Sequence, residues 1–251
     1  MLSAGMLAAC QPGGTATADP TAAATAAGGG TSAECGGSAD TPDGALKVVT
    51  GPIGCPGGAN TFWSQKLGSG WTVPRFLEYH DGEIPQDECG AQSRDPDDFA
   101  SNAFYCSLDD TVAYSAEFMA ELSKQDTAYP MLVLMHELGH RASALTNRVG
   151  VVSRSEENQA DCLAGAEAKF TQDAGRLPLG DVGKGALLFF SLGDDGGNWF
   201  ASEANTQEGA HGNPTQRTAA FSTGYFRGLD HCFDIGKSAD GGLSLIDSLF
   251  G

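Results

Sequence analysis

Basic residues are scarce in this chain of 251 residues: 14 lysines and arginines stand against 32 aspartates and glutamates, a net charge of −18. So acidic a chain disfavours nucleic acid and anionic membrane as partners, and reads as a well-solvated surface. No C-x-x-C spacing occurs among the seven cysteines, which sets aside a zinc knuckle or a thioredoxin-type centre. Aliphatic bulk is nearly missing from residues 11–44, a tract of Gly, Ala, Thr, Ser and Pro. Composition predicts no core there and a flexible linker. Such a linker has an r.m.s. reach of about 5–6 Å × √n, or roughly 30 Å. The remaining stretch, 45–251, is expected to be a single domain; the apolar content of the chain, 41%, suffices for a sizeable core.

Residues 1–10, MLSAGMLAAC, form a short apolar run ending in small residues and Cys10. Leu7-Ala8-Ala9-Cys10 resembles the lipobox of bacterial lipoproteins, in which the cysteine is lipidated and becomes the mature N-terminus. No Lys or Arg precedes it, unlike the positive n-region of a secretory signal. The expectation is export: a signal or lipobox remnant at 1–10, a lipid anchor at Cys10 and a tether that holds the domain off the outer face of the cell membrane, or else secretion. Seven cysteines suit an oxidising compartment, and with Cys10 lipidated six remain to pair. Cys35 and Cys55 are expected to bridge and pin the end of the linker. Cys89 and Cys106 flank a polar loop, and a bridge there removes roughly 3 kcal/mol of unfolded-state entropy. Cys162 is the expected partner of Cys232.

The stretch that organises the chain is Met131–His140, MLVLMHELGH. It contains no proline and leads with an almost continuous apolar run, so it predicts a buried helix entered at Pro130 and ending near Leu145. On a helix, His136 and His140 share one face. Two imidazoles so placed can bind Zn²⁺ at roughly 2.0–2.1 Å. Glu137, beside the first of them, can take the proton of an activated water. A buried helix that ends in two histidines and a carboxylate needs partners for those groups. Residues 153–170 predict a second helix, capped by Ser153 or Ser155. Glu157 and Asp161 lie four apart on one of its faces. This resembles the second half of the thermolysin-like gluzincin pattern, in which a glutamate completes the zinc site and an aspartate one turn on holds a ligand histidine by its other nitrogen. Glu156 is the rival ligand; Glu157 is preferred because only it has an acid at i+4.

Around these helices the chain alternates short elements. Residues 61–67 suit a helix, 70–79 an extended strand, 111–115 a strand, 116–125 an amphipathic helix and 184–192 an apolar helix. The strand near Tyr114 is expected to pair with an extended substrate, as an edge strand can. Trp63 and Trp71 read as core anchors. Asp95, Asp97 and Asp98 lack calcium-loop spacing and read as turn residues, and Gly193-Asp194-Asp195 reads as a helix-ending turn. A helix entered through Asn213-Pro214 should turn Phe221, Tyr225 and Phe226 to the core, and 243–250 should close the chain. The sum is an α+β fold, mainly helical with a small sheet. His211, in a loop of small residues, is a candidate hydrogen-bond donor to an oxyanion; Arg217 can support it or pair with a carboxylate.

Several of these pieces, in one order, resemble the bacterial neutral zinc metallopeptidases of the YpfJ type. They are Phe62-Trp63, Val73–Tyr79, Cys89-Gly90, Phe104-Tyr105-Cys106, His136–His140, Glu157–Cys162, Gly193–Asp195, His211–Arg217 and Cys232. The resemblance covers about residues 60–235. It implies a zincin-like metallopeptidase domain with Zn²⁺ on His136, His140 and Glu157, Asp161 behind them, Glu137 as acid/base, and a peptide or protein as substrate. Arg141 stands where members often carry a further histidine, and Ala210 and Asn213-Pro214 also depart. Alternatives are a non-catalytic cell-surface binding lipoprotein that retains a zincin fold, and a zinc hydrolase acting on cell-wall amide bonds. Oligomeric state is not legible.

Overall fold

A computed structural model describes residues 32–178, 180–192 and 214–237. The chain enters through α1 (Ser32–Cys35), α2 (Pro42–Thr50) and α3 (Ala59–Leu67), then β1 (Arg75–Tyr79), β2 (Ala103–Cys106) and β3 (Thr111–Ser115). There follow α4 (Ala116–Gln125), α5 (Tyr129–Leu145), α6 (Ser153–Asp173), α7 (Asp181–Ser191), α8 (Pro214–Arg227) and α9 (Cys232–Ile235). The result is the expected α+β chain, mainly helical with one three-stranded sheet.

The expected linker is overturned at its C-terminal end. Residues 32–44 are structured, with Ala39 fully buried and Cys35 nearly so. Apolar bulk is not what holds them. The Cys35–Cys55 bridge and Arg176, which donates to the carbonyls of Gly37 (2.8 Å), Pro56 (3.0 Å) and Cys35, clamp the segment by its backbone. Composition cannot report such a clamp, because the donor lies far along the chain. Thr41 then caps α2 by accepting from the Gly44 N–H, with Pro42 in the first turn.

The sheet runs in the order β1-β3-β2. β1 pairs with β3 in parallel, with Phe76 opposite Val112, and β2 pairs antiparallel, with Phe104 opposite Ala113. All five residues of β3 are buried. Tyr114 therefore sits on the central strand, against expectation; β1 and β2 are the edges of the sheet among the described residues.

α5 is buried along most of its length, as its apolar run predicts, and ends one residue before Thr146, with Asn147 left-handed beyond it. α6 crosses both α5 and α8. At the second crossing, Cβ atoms on Gly165 and Gly224 would strike the carbonyl oxygens of Phe221 and Cys162 at 2.0 and 1.7 Å, so only glycine permits the approach. Ser155, not an N-cap residue, opens α6: its hydroxyl accepts from the Val152 N–H and donates to the Val152 carbonyl. Trp63 and Trp71 are core, stacked on one another. On α8, Phe221 and Tyr225 face inward, but Phe226 is 72% exposed, because position i+1 turns about 100° from Tyr225. The expected bridges Cys35–Cys55, Cys89–Cys106 and Cys162–Cys232 are all present, which suits an oxidising environment. No helix among the described residues is long and apolar enough to cross a membrane. Cys10, His211, Gly193–Asp195, Asn213 and the expected closing helix lie outside the described residues.

Candidate metal centre

The centre forms where α5 meets α6. His136 and His140 present their Nε2 atoms to each other at 3.0 Å. Glu157, from the start of α6, sets Oε2 3.4 Å from His136 Nε2 and Oε1 3.3 Å from His140 Nε2. These three side chains form a group that could hold a metal ion. Gly139 makes the approach possible. A Cβ there would lie 2.9 Å from the Ala160 carbonyl oxygen, so any other residue would push α6, and Glu157 with it, away from the histidines.

Carboxylates stand beside the opposite ring nitrogens. Asp161 Oδ1 lies 2.7 Å from His136 Nδ1, and Glu156 Oε1 lies 3.6 Å from His140 Nδ1. The Asp161 contact assigns the proton of His136 to Nδ1 and leaves its Nε2 as the donor atom; at His140 the more distant Glu156 favours the same tautomer without a hydrogen bond. The rival ligands are thereby separated: Glu157 faces both Nε2 atoms, while Glu156 flanks His140 from outside with a side chain 36% exposed.

Two Nε2 lone pairs facing each other at 3.0 Å repel unless a proton or a cation lies between them. The surroundings supply that demand. Burial pulls the His136 pKa down, but Asp161 and Glu157 bring it above the ordinary value. Burial acts likewise on His140, and Glu156 and Glu157 overcome it so that its pKa stands well above ordinary. The pocket is thus built to stabilise positive charge, and two imidazoles with one carboxylate are a donor set that zinc accepts. Glu137 is 6% exposed. Burial raises its pKa, and the neighbouring His136 and His140 offset this only in part.

Arg217 stands behind the histidines. It is 3% exposed and forks onto Asp161, Nε to Oδ2 at 2.7 Å and Nη2 to Oδ1 at 2.8 Å, while Nη1 donates to the Leu192 carbonyl at 3.1 Å. Its Nη2 is also 3.7 Å from Glu157 Oε2. Of the two roles open to Arg217 from sequence, these are the contacts of carboxylate pairing. The chain Arg217–Asp161–His136 orients the first imidazole by a bidentate ion pair. The close crossing at Gly165 and Gly224 is what brings α8 near enough.

In front of the cluster lies a cleft of ≈ 660 Å³. Its floor includes His136, Glu137 and His140, and its walls include Phe104 and Tyr105 of β2, Val133 and Phe189. Tyr105 and Glu137 line this cleft together, and the register of β2 turns the Tyr105 backbone N–H away from β3. The sequence does not announce β2 as a strand, because four residues are too few to show a period. Comparisons with family models, curated proteins and solved structures found no match, so the chemistry of this centre rests on its own geometry.

Proposed function

We propose that the chain is a zinc-dependent metallopeptidase, exported and held at the outer face of the membrane through Cys10, or secreted. What carries the reading is the convergence of His136, His140 and Glu157 at 3.0–3.4 Å with Glu137 beside them in a cleft bordered by the edge strand β2. The residues that would hold zinc are His136 Nε2, His140 Nε2 and the Glu157 carboxylate. Bound there, zinc supplies Lewis-acid polarisation of a scissile carbonyl and makes water more acidic. Glu137 accepts the proton of the attacking water and delivers it to the leaving amine. Asp161 and Arg217 keep His136 in the correct tautomer and orientation. β2 borders the cleft as an edge strand, where an extended peptide can lie, and His211 is retained as the proposed donor to the oxyanion.

The test is Glu137→Gln with metal analysis. The expected outcome is one zinc per chain, held as in the wild type, with peptide hydrolysis reduced by at least about 10²–10⁴-fold, the range for a general acid–base group. Zinc at one per chain in a wild type that cleaves no peptide in a broad library would move the reading to a binding protein, or, if purified wall fragments are digested, to a cell-wall amidase.

A further inference from the structure

We infer that Arg141 is a positioning residue for the Glu137 carboxylate, acting through Asp110, Tyr105 and the strand β2. Its effect on turnover rests on the metallopeptidase reading; its effect on β2 does not.

Arg141 follows His140 on α5, so it leaves the helix about 100° away from the ligand face and reaches the β2–β3 turn. It is 1% exposed. Its Nε meets Asp110 Oδ1 at 2.5 Å and its Nη2 meets Asp110 Oδ2 at 2.7 Å, while the guanidinium plane lies 4.1 Å from the centre of the Trp71 ring. Asp110 sits at φ 58°, the left-handed conformation that aspartate adopts more readily than most residues and that ends the turn into β3. The same Asp110 Oδ1 accepts the hydroxyl of Tyr105 at 3.2 Å. Burial and Asp110 push that phenol up to about 12, so it stays a donor at working pH. The register of β2 on β3 turns the Tyr105 backbone N–H away from β3, and Tyr105 and Glu137 line the same cleft.

Two neighbouring residues of α5 thus serve one cleft: His140 faces the candidate metal cluster, and Arg141 clamps the strand that borders the cleft beside Glu137. A planar fork is needed, because one group must bind both oxygens of Asp110 while stacking on Trp71. Lysine cannot do both at once. β2 has a strand partner on one side only among the described residues, so without the clamp its turn is tied to the helices through fewer contacts.

The experiment compares Arg141→Lys and Tyr105→Phe with the wild-type full chain. Amide exchange at Tyr105 is followed by NMR or mass spectrometry, hydrolysis with quenched-fluorescent peptides, and zinc by metal analysis. In Arg141→Lys the expected result is exchange at Tyr105 faster by about tenfold or more, and kcat lower by about tenfold at an unchanged KM, with zinc still at one per chain. Tyr105→Phe, which loses one hydroxyl contact, should change both in the same direction by less, and decides the matter if the lysine variant does not fold. Unchanged exchange at Tyr105 in the folded variants overturns the inference, as does a fall in kcat that merely tracks loss of zinc. A wild type that cleaves no peptide defeats the metallopeptidase reading instead, and the exchange measurement still decides whether Arg141 holds β2.

Discussion

Asp161 and Glu167 lie on the same helix, less than two turns apart, and neither has any exposure to solvent. The fold treats them in opposite ways. Asp161 is gripped by both arms of Arg217 and by His136 Nδ1. Glu167 receives the indole N–H of Trp63 on Oε2, and its Oε1 has no hydrogen-bond partner among the described residues. Burial therefore raises the Glu167 pKa well above the ordinary carboxylate value, against only the opposing pull of Trp63. A buried carboxyl group can be stabilised by paired charges or by keeping its proton. Burial by itself thus says little about function; the partners tell the two apart. Asp161 is part of a chain that ends on His136, one of the side chains that could hold a metal ion, and Glu167 links α6 to α3 through the Trp63 indole alone among the described residues.

Removing Asp161 tests the comparison hardest. Asp161→Ala leaves Arg217 buried without its counter-charge, and should destabilise the chain by about 3–5 kcal/mol and weaken metal binding by about 10–100-fold. Denaturant unfolding and a metal titration read the two effects, and a loss under about 1 kcal/mol would make Asp161 no different from Glu167. Stripping the metal comes next. At free zinc about 100 times its Kd, binding adds roughly 2.7 kcal/mol, which thermal unfolding should show in the wild type and not in His140→Ala.

Glu167→Gln sharpens the contrast through pH. The unfolded carboxyl loses its proton near the ordinary value of 4.5, while the folded one keeps it to higher pH. The unfolded state then binds fewer protons, so this group's contribution to stability falls as pH rises through that window. Glutamine, neutral throughout, should leave Tm unaltered at about pH 4 and raise it by a margin that grows toward about pH 8; a lower Tm at the higher pH would show that Glu167 is ionised in the fold. The smallest effect belongs to Glu156→Gln. Its carboxylate is 3.6 Å from His140 and partly exposed, so zinc affinity should drop by no more than about tenfold, the low end for such a group, with unfolding free energy unchanged.

Much of the centre is legible in the sequence alone. An apolar run broken only by H-E-x-x-H specifies a buried helix with two histidines on one face, and an i,i+4 pair of acids specifies a second such face. The three expected cysteine pairs are all present, two of them joining cysteines that are near one another in the chain. The expectations that fail have a common cause. Residues 32–44 look like linker because the guanidinium that clamps them belongs to Arg176. The strand around Tyr114 looks available for pairing because nothing local says that β1 and β2 flank β3. Glu167 gives no signal at all, since an acid in a polar helix reads as surface.

Local spacing, then, determined which side chains share a helical face, because 3.6 residues per turn places i and i+4 together wherever the helix lies. Only the tertiary structure decided that Glu157 and not Glu156 meets both Nε2 atoms, that Arg217 turns to Asp161, and that Arg141 reaches across to Asp110. Those outcomes depend on how closely α6 approaches α5 and α8. Atoms at Gly139, Gly165 and Gly224 set that distance by their absence, against neighbours remote in the chain.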